Sequence, residues 1–189
     1  AQDSDRLAAR MKFEEGEALR AQGTVESLPL ALMKYEEAIL LCRAIGNRQG
    51  EAASHNNIGI IYNSLGEKQK AIDFYTRALP LWRAAGDRDG EAATLNNTGA
   101  VYDSLGEWRK ALDFYIQALS LWRAVGDRRG EATTLNRIGS VYNSLGEWRK
   151  ALDFHTQALP LASAVGDPSG EATTLNNIGL AYDSLGEKQ

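Results

Sequence analysis

The side chains best suited to catalysis are few and scattered along the sequence. The chain contains two histidines, His55 and His155, and a single cysteine, Cys42. One cysteine excludes both an internal disulfide and a cysteine-rich zinc site. The sequence has no phosphate-binding glycine loop, no nucleophile motif and no histidine spacing typical of a metal site. We therefore predict that the chain is not an enzyme and that it uses no cofactor or metal.

Asparagine is far more regular than any catalytic residue type. The pair Asn56–Asn57 is written again as Asn96–Asn97, and in the next copy the second member is an arginine, Arg137. Each asparagine offers two donors and an acceptor, which complement a peptide backbone. Asparagine is also a mediocre helix former, so its recurrence within a helix needs a reason. These side chains either bind a ligand or bond to neighbouring helices and hold the fold together.

The asparagines recur because the whole sequence repeats. Residues 91–130 and 131–170 match at about 28 of roughly 40 positions without a gap. Self-similarity at a fixed period of about 20–50 residues is the signature of stacked-repeat architectures. We predict one domain, 1–189, with an irregular first repeat (1–49), three regular repeats (50–89, 90–129 and 130–169) and a partial repeat (170–189) that contains only a first helix.

Each repeat has the pattern of two helices. In the regular copy, a first helix is predicted from about Asp89 to Ser104 and a second, with a broad apolar face, from about Glu107 to Val125. A glycine ends each helix. The glycine that ends the second helix of a pair is followed by an asparagine or aspartate, which can cap the next helix. The connections between helices are only a few residues long, so successive helices must pack side by side and antiparallel. The predicted fold class is all-α, and the first repeat fits this register only with about three extra residues between Thr24 and Leu28.

Bulk composition narrows the function classes. The net charge of −4 argues against a general nucleic-acid binder, which usually has a basic surplus. No run of 18 or more apolar residues occurs, so no membrane partner is expected. We expect a cytoplasmic location. Cys42 lies in an apolar helical run and is predicted to be a small buried hydrophobe.

The spacing of Leu95, Gly99, Tyr102, Ala111 and Tyr115 resembles the tetratricopeptide (TPR) signature, which Ala118 completes. The period of forty, longer than that of the short motif, is similar to kinesin light chain repeats and to the TPR arrays of bacterial and cyanobacterial multidomain proteins. The resemblance covers nearly the whole chain. It implies a right-handed α-solenoid of antiparallel helix pairs, with a concave groove lined by the first helix of each pair.

The resemblance also implies which positions face that groove. They include the positions two and three residues before the helix glycine and the position four residues after it. The candidate peptide-binding residues are then Asn57, Asn97, Arg137 and Asn177 two before, Asn56, Asn96 and Asn136 three before, and Asn63, Asp103 and Asn143 four after. Arg137 resembles the arginine of a carboxylate clamp, but Thr133, Phe13 and Glu17 stand where the clamp needs its other residues. A single acidic side chain of the partner is expected near Arg137.

The tryptophans are predicted to be structural. Trp108 and Trp148 stand two residues after a helix-ending glycine, where the family usually packs an aromatic residue between repeats. We therefore expect these two in the core, with Trp82 and Trp122 partly exposed near the end of the second helix.

These patterns favour a non-catalytic scaffold that binds a protein or an extended peptide, like an adaptor. Two alternatives remain open. The chain could be the regulatory arm of a larger peptidase or NTPase, or a self-associating spacer. The second alternative follows from the partial last repeat, whose lone helix exposes apolar residues such as Leu175 and invites end-to-end contact.

Overall fold

The computed structural model describes residues 2–186, which form nine α-helices and no β-strand. The first helix of each pair has an odd number in this numbering, and the second has an even number. The helices are α1 (Gln2–Gln22), α2 (Ser27–Ala44), α3 (Arg48–Ser64), α4 (Lys68–Ala85), α5 (Arg88–Ser104), α6 (Trp108–Val125), α7 (Arg128–Ser144), α8 (Trp148–Ala164) and α9 (Pro168–Ser184). The predicted all-α class is confirmed. Residues 187–189 of the predicted partial repeat lie outside the described range.

The helix ends are built as the sequence predicts. The side chains of Asn47, Asp127 and Asp167 each accept a hydrogen bond from a backbone N–H in the first turn of the following helix. Such caps satisfy N–H groups that have no partner within the helix. Gly86 and Gly126 end α4 and α6 with φ of 71° and 79°, a left-handed conformation that costs glycine little. These caps fix where each helix stops.

The chain divides into two compact units, and the division falls within α5 between Asn97 and Thr98. In the first unit α1 packs on α2 and α3 on α4, while α2 and α1 both also contact α3. Its core contains Tyr35, Ile39, Ile58 and Ile61, which are at most 7% exposed. Burying one such side chain stabilises the fold by about 1.5–3 kcal/mol.

The second unit repeats this plan from Thr98 onwards. There α7 packs against α6 and α8, and α9 contacts both α8 and α7. Its core is formed by Tyr115, Leu119, Leu135, Ile138 and Val141. In each unit, therefore, odd-numbered helices contact one another directly and also contact the even-numbered helices.

The glycine in the middle of α1, α3, α5 and α7 faces a ring of the following helix. A Cβ on Gly59 would lie 2.5 Å from the ring of Tyr75, and a Cβ on Gly16 would lie 2.9 Å from that of Tyr35. The ring fills the space in front of the glycine, so a larger residue there would displace the ring. Gly16 and Tyr35 are three residues further apart in sequence than Gly59 and Tyr75, which confirms the insertion in the first repeat.

The predicted roles of the tryptophans are reversed. Trp82 and Trp122 are only 7% and 8% exposed, whereas Trp108 is 37% exposed. The Trp82 ring lies against Gly90, and its Nε1 donates a hydrogen bond of 2.9 Å to the Thr94 hydroxyl. A glycine eight residues further along leaves room for the large ring, so the end of the second helix is buried. Trp148 is half-buried.

Candidate functional site

The candidates three residues before the helix glycine form a row of asparagines that hydrogen-bond to side chains of neighbouring helices. In the first unit, Asn56 Oδ1 lies 3.1 Å from the Thr94 hydroxyl and accepts from Asn97 Nδ2 at 3.3 Å. In the second unit, Asn136 donates to the Thr174 hydroxyl of α9. Asn96 is half-buried and also makes polar interactions within the protein. For this row the structure supports the stack-stabilising alternative.

The row two residues before the glycine differs between the units. Asn57 is buried, at 8% exposure, and its Nδ2 donates to Glu17 Oε1 of α1 at 2.9 Å. Asn97 bonds to Asn56, as described. In the second unit, Arg137 and Asn177 are half-buried and line an open cleft. The second unit therefore brings predicted residues of this row to an accessible surface.

Of the three candidates four residues after the helix glycine, Asn63 and Asn143 contact side chains of their own repeat. Asn63 Oδ1 accepts from Lys68 Nζ at 2.7 Å, across the turn between α3 and α4. Asn143 Nδ2 lies 3.4 Å from His155 Nε2. Asp103 instead lines the cleft of the second unit. Of this row, then, Asp103 is the member placed to meet a ligand.

The cleft of the second unit has a volume of about 410 Å³. Four predicted residues line it together: Asp103, Asn136, Arg137 and Asn177. Ligand clefts typically measure about 300–1,000 Å³. The walls come from the odd-numbered helices α5, α7 and α9, and the lining is rich in hydroxyl, amide and charged groups. The cleft is therefore suited to hydrogen-bonding an extended polar segment.

Arg137 controls the electrostatics of this cleft. Burial raises the pKa of the Asp103 carboxyl, and the positive charge of Arg137 opposes that change. Burial likewise raises the pKa of Tyr115, against the effect of the same guanidinium. An arginine keeps its charge at any accessible pH and can form two parallel bonds to a carboxylate. The cleft thus presents a cation together with two acidic residues, Asp103 and Asp167, of which Asp167 also caps α9.

A buried histidine supports the cleft from behind. His155, 0% exposed, takes the place that tyrosine has in the other repeats, and its Nδ1 lies 2.9 Å from Asn136 Oδ1. Burial lowers the pKa of His155 to about 4. The neutral ring then donates from Nδ1 to Asn136 and accepts at Nε2 from Asn143. This network fixes the Asn136 amide, whose Nδ2 points to Thr174.

Sequence reasoning did not select every residue that lines the cleft. Thr133, Ser140 and Thr173 also line it. Thr133 lies six residues before the helix glycine and Ser140 one residue after it, positions that the family resemblance also assigns to the groove, but neither was among the candidate binding residues. They were missed because their types vary from one repeat to the next, unlike the asparagines. Glu17 of α1, which binds Asn57, was missed because its repeat is the least regular.

Neither a candidate metal cluster nor a helix suited to spanning a membrane is found among residues 2–186. Within that range, no group of three or more histidine, cysteine, aspartate or glutamate side chains is arranged to hold a metal ion. None of the helices in the same range combines the length and the apolar character needed to cross a membrane.

The antiparallel helix pairs, the glycine-to-ring contacts and the polar cleft on the odd-numbered helices define a helical repeat protein of the TPR solenoid class. The tetratricopeptide repeat profile matches residues 8–84, 69–124 and 130–189. The chain belongs to the tetratricopeptide repeat family. No curated protein matches the sequence.

Solved structures share this fold at low sequence identity. BtubC (BKLC) from P. vanneervenii is 21% identical, with a TM-score of 0.79 over 99% of this chain and 85% of that one. A putative kinesin light chain with nearly identical TPR-like repeats from Podosopora anserina is 13% identical, with a TM-score of 0.75 over 96% of this chain and 90% of that one. The predicted likeness to kinesin light chain repeats is confirmed at the level of fold.

Larger proteins contain the same fold as a part. Aspartyl phosphate phosphatase F from Bacillus subtilis is 15% identical with a TM-score of 0.86, and the match covers 95% of this chain but 46% of that one. A STAND signal-transduction ATPase with a TPR sensor from Pyrococcus horikoshii is 16% identical with a TM-score of 0.82, covering 94% of this chain and 27% of that one. At these identities the likeness concerns the fold alone.

Proposed function

We propose that this chain is a non-catalytic module that binds an extended segment of a partner protein in the cleft of the second unit. The observation that carries the proposal is the gathering of Asp103, Arg137 and Asn177 around one open cleft. TPR repeats generally mediate contacts between proteins, which agrees with this role. The amides and hydroxyls of the cleft bond to the partner backbone, and Arg137 selects an acidic side chain.

Arg137 gives the cleft its preference because it is the exception in its row. At the same position the other repeats have Asn57, Asn97 and Asn177. An asparagine can bond to any peptide backbone, whereas an arginine favours a carboxylate. The partner segment is therefore expected to carry an aspartate or glutamate opposite Arg137.

A library selection tests this proposal. We would pan a random dodecapeptide phage library on the immobilised chain and, in parallel, on the Arg137→Asn variant, which restores the residue of the other repeats. The wild-type chain is expected to enrich acidic residues, and the variant to lose that enrichment while still selecting peptides. A charge-assisted hydrogen bond contributes about 1.5–3 kcal/mol, so a wild-type-selected peptide should bind R137N roughly 10-fold to 100-fold more weakly.

The matched control is Arg109→Gln, which removes one positive charge from the exposed surface of α6. It should leave both enrichment and affinity unchanged. Equal loss in R109Q and R137N would show a nonspecific effect of net charge. Selection of no peptide at all by the wild-type chain would remove the binding function itself.

A second proposal is that the chain acts as the sensor arm of a larger enzyme. The support is the likeness in fold to one part of an aspartyl phosphate phosphatase and to one part of a STAND ATPase, in matches that cover nearly the whole of this chain. Sequencing the complete gene discriminates, because a peptidase or NTPase domain on the same polypeptide would favour this role over that of a free adaptor.

A further inference from the structure

A tryptophan position is vacated in the first repeat. Cys42, Trp82, Trp122 and Ala162 follow one another at the period of forty. Trp82 packs on Gly90 and Ala52, and Cys42 occupies the corresponding place on Gly50. A sulfur atom therefore stands where the next repeat has an indole ring.

A pocket of about 650 Å³ lies at this position in the first unit. Its lining includes Ala9, Arg10, Cys42 and Gly50. The register given by Gly16 and Gly59 makes Ala9 and Arg10 the counterparts of Ala52 and Ala53, which pack around Trp82. Ala9 therefore gives the pocket the same small apolar wall as Ala52, whereas Arg10 places a cation where the next repeat has Ala53. Its lining includes none of the candidate peptide-binding residues.

The next repeat also shows how an aromatic N–H would be satisfied. Trp82 Nε1 donates to the Thr94 hydroxyl, and the corresponding residue forty positions earlier is Ser54. Ser54 is 0% exposed, and its hydroxyl donates to the Gly50 carbonyl, which leaves the oxygen lone pairs to accept a bond. The Ser54 hydroxyl is not part of the pocket lining, so the pocket itself does not require an N–H on the ligand ring.

The rim of the pocket is cationic. Arg6 and Arg10 of α1 both line it. Arg10 is paired with Glu14 at 2.6 Å, while Arg6 forms no ion pair with any residue in the range 2–186. The lining also includes Gln49 and Gly50 in the first turn of α3, where the helix dipole favours a negative charge. An apolar interior beneath this rim calls for a ligand that is aromatic at one end and anionic at the other.

We propose that this pocket binds a small planar aryl carboxylate, its ring beside Cys42 and Trp82 and its carboxylate at Arg6. The site is separate from the peptide cleft of the second unit, and either can exist without the other. Its volume is within the range of small-molecule pockets, about 300–1,000 Å³. The aryl ring takes the place of the side chain that the repeat pattern puts there.

The test is a titration of the whole chain with indole-3-acetate, followed by isothermal calorimetry and by amide chemical shifts. For a ligand of this size we expect a Kd on the order of 1 mM or below. The shift changes should be concentrated in α1, in α3 and around Cys42. Absence of both heat and shift changes at about ten times that concentration would overturn the proposal.

Cys42→Trp is the decisive variant, because it restores the residue of the next two repeats and fills the pocket. It should retain the helical circular dichroism signal and lose indole-3-acetate binding by at least tenfold. Ala162→Trp, the same restoration in the second unit, is the matched control and should bind as the wild-type chain does. A folded C42W variant with wild-type affinity would refute the site.

A second variant keeps the test independent of how C42W folds. Arg6→Gln should weaken indole-3-acetate about threefold, as expected for an exposed charge pair, and leave the binding of neutral indole unchanged. Arg128→Gln removes an exposed arginine from the second unit and should change neither ligand. Equal binding of the acid by R6Q and wild type would contradict the proposed carboxylate position.

Discussion

Single residues at repeated positions carry most of the functional information in this chain. Within a regular background, Arg137 replaces asparagine, His155 replaces tyrosine and Cys42 replaces tryptophan. Each replacement changes what its surroundings can do: Arg137 charges a cleft, His155 holds the amide of Asn136, and Cys42 opens a pocket. The repeat supplies an internal reference against which each exception can be measured.

His155 makes the stability of the second unit depend on pH. Burial lowers its pKa to about 4, below the ordinary value of 6.5, so the folded state prefers the neutral ring. The resulting stability is fully present above about pH 6.5 and is lost as the pH falls towards 4. Between pH 7 and pH 5 the loss at this one site is about 2 kcal/mol.

Thermal unfolding followed by circular dichroism at pH 7 and pH 5 measures this loss. The reference variant is His155→Tyr, which restores the residue found at Tyr115 and removes the titrating group. The fall in Tm between the two pH values should be smaller in H155Y than in the wild-type chain. An equal fall in both proteins would assign the pH dependence to other groups.

At the scale of helices, a glycine is retained where a ring must approach the helix backbone. A Cβ on Gly99 would lie 2.7 Å from the ring of Tyr115, whereas a Cβ on Gly179 of α9 would meet nothing within 4 Å. Within a helix, glycine costs about 1 kcal/mol relative to alanine. At Gly99 this cost is offset by the burial of Tyr115, while at Gly179 no such contact exists among the described residues.

The two glycines therefore predict opposite effects of one substitution. Gly99→Ala should destabilise the chain by about 1–3 kcal/mol because the added methyl overpacks the ring. Gly179→Ala should stabilise α9 by about 0.5–1 kcal/mol through helix propensity alone. Guanidinium unfolding midpoints of the two variants provide the measurement. Destabilisation by G179A would mean that α9 is covered by something in solution.

At the scale of the whole molecule, the exposed apolar side chains of α9 predict that copies of the chain associate. Leu175 is 51% exposed and Leu180 is 54% exposed, whereas Leu135, the counterpart of Leu175 in α7, is 1% exposed. Large apolar side chains left exposed in this way favour contact with another surface. We expect the 189-residue chain to self-associate weakly through this face, so that apparent mass rises with concentration.

Light scattering coupled to size-exclusion chromatography over a concentration series tests this expectation. Leu175→Glu together with Leu180→Glu should hold the apparent mass at the monomer value. The matched control, Leu40→Glu, changes a leucine of α2 that is 65% exposed and should leave association unchanged. A wild-type mass that is independent of concentration would dismiss the spacer role.

Local rules explain how much of this could be read from the sequence. Helix bounds were predictable to within about a residue in the regular repeats, because Asp127 and Gly126 act through their own backbone neighbourhood. The burial of Cys42 was predictable from its apolar helical run, and the insertion in the first repeat from comparing its register with that of the later copies. The period of forty identified the repeat architecture, and its internal spacing identified the family.

Tertiary structure decided what each repeated side chain touches. The burial of the Trp82 ring against Gly90 and the exposure of Trp108 depend on which helix packs over each ring, and that is a tertiary contact. The sequence also could not divide the asparagines between stack and cleft. Asn56 and Arg137 stand at neighbouring positions of the repeat, and only the placement of the next helix turns one towards Thr94 and leaves the other at an open cleft. The repeated sequence determines the fold because its caps and apolar faces act on residues close by in the chain. A binding site depends instead on distances between residues about forty positions apart.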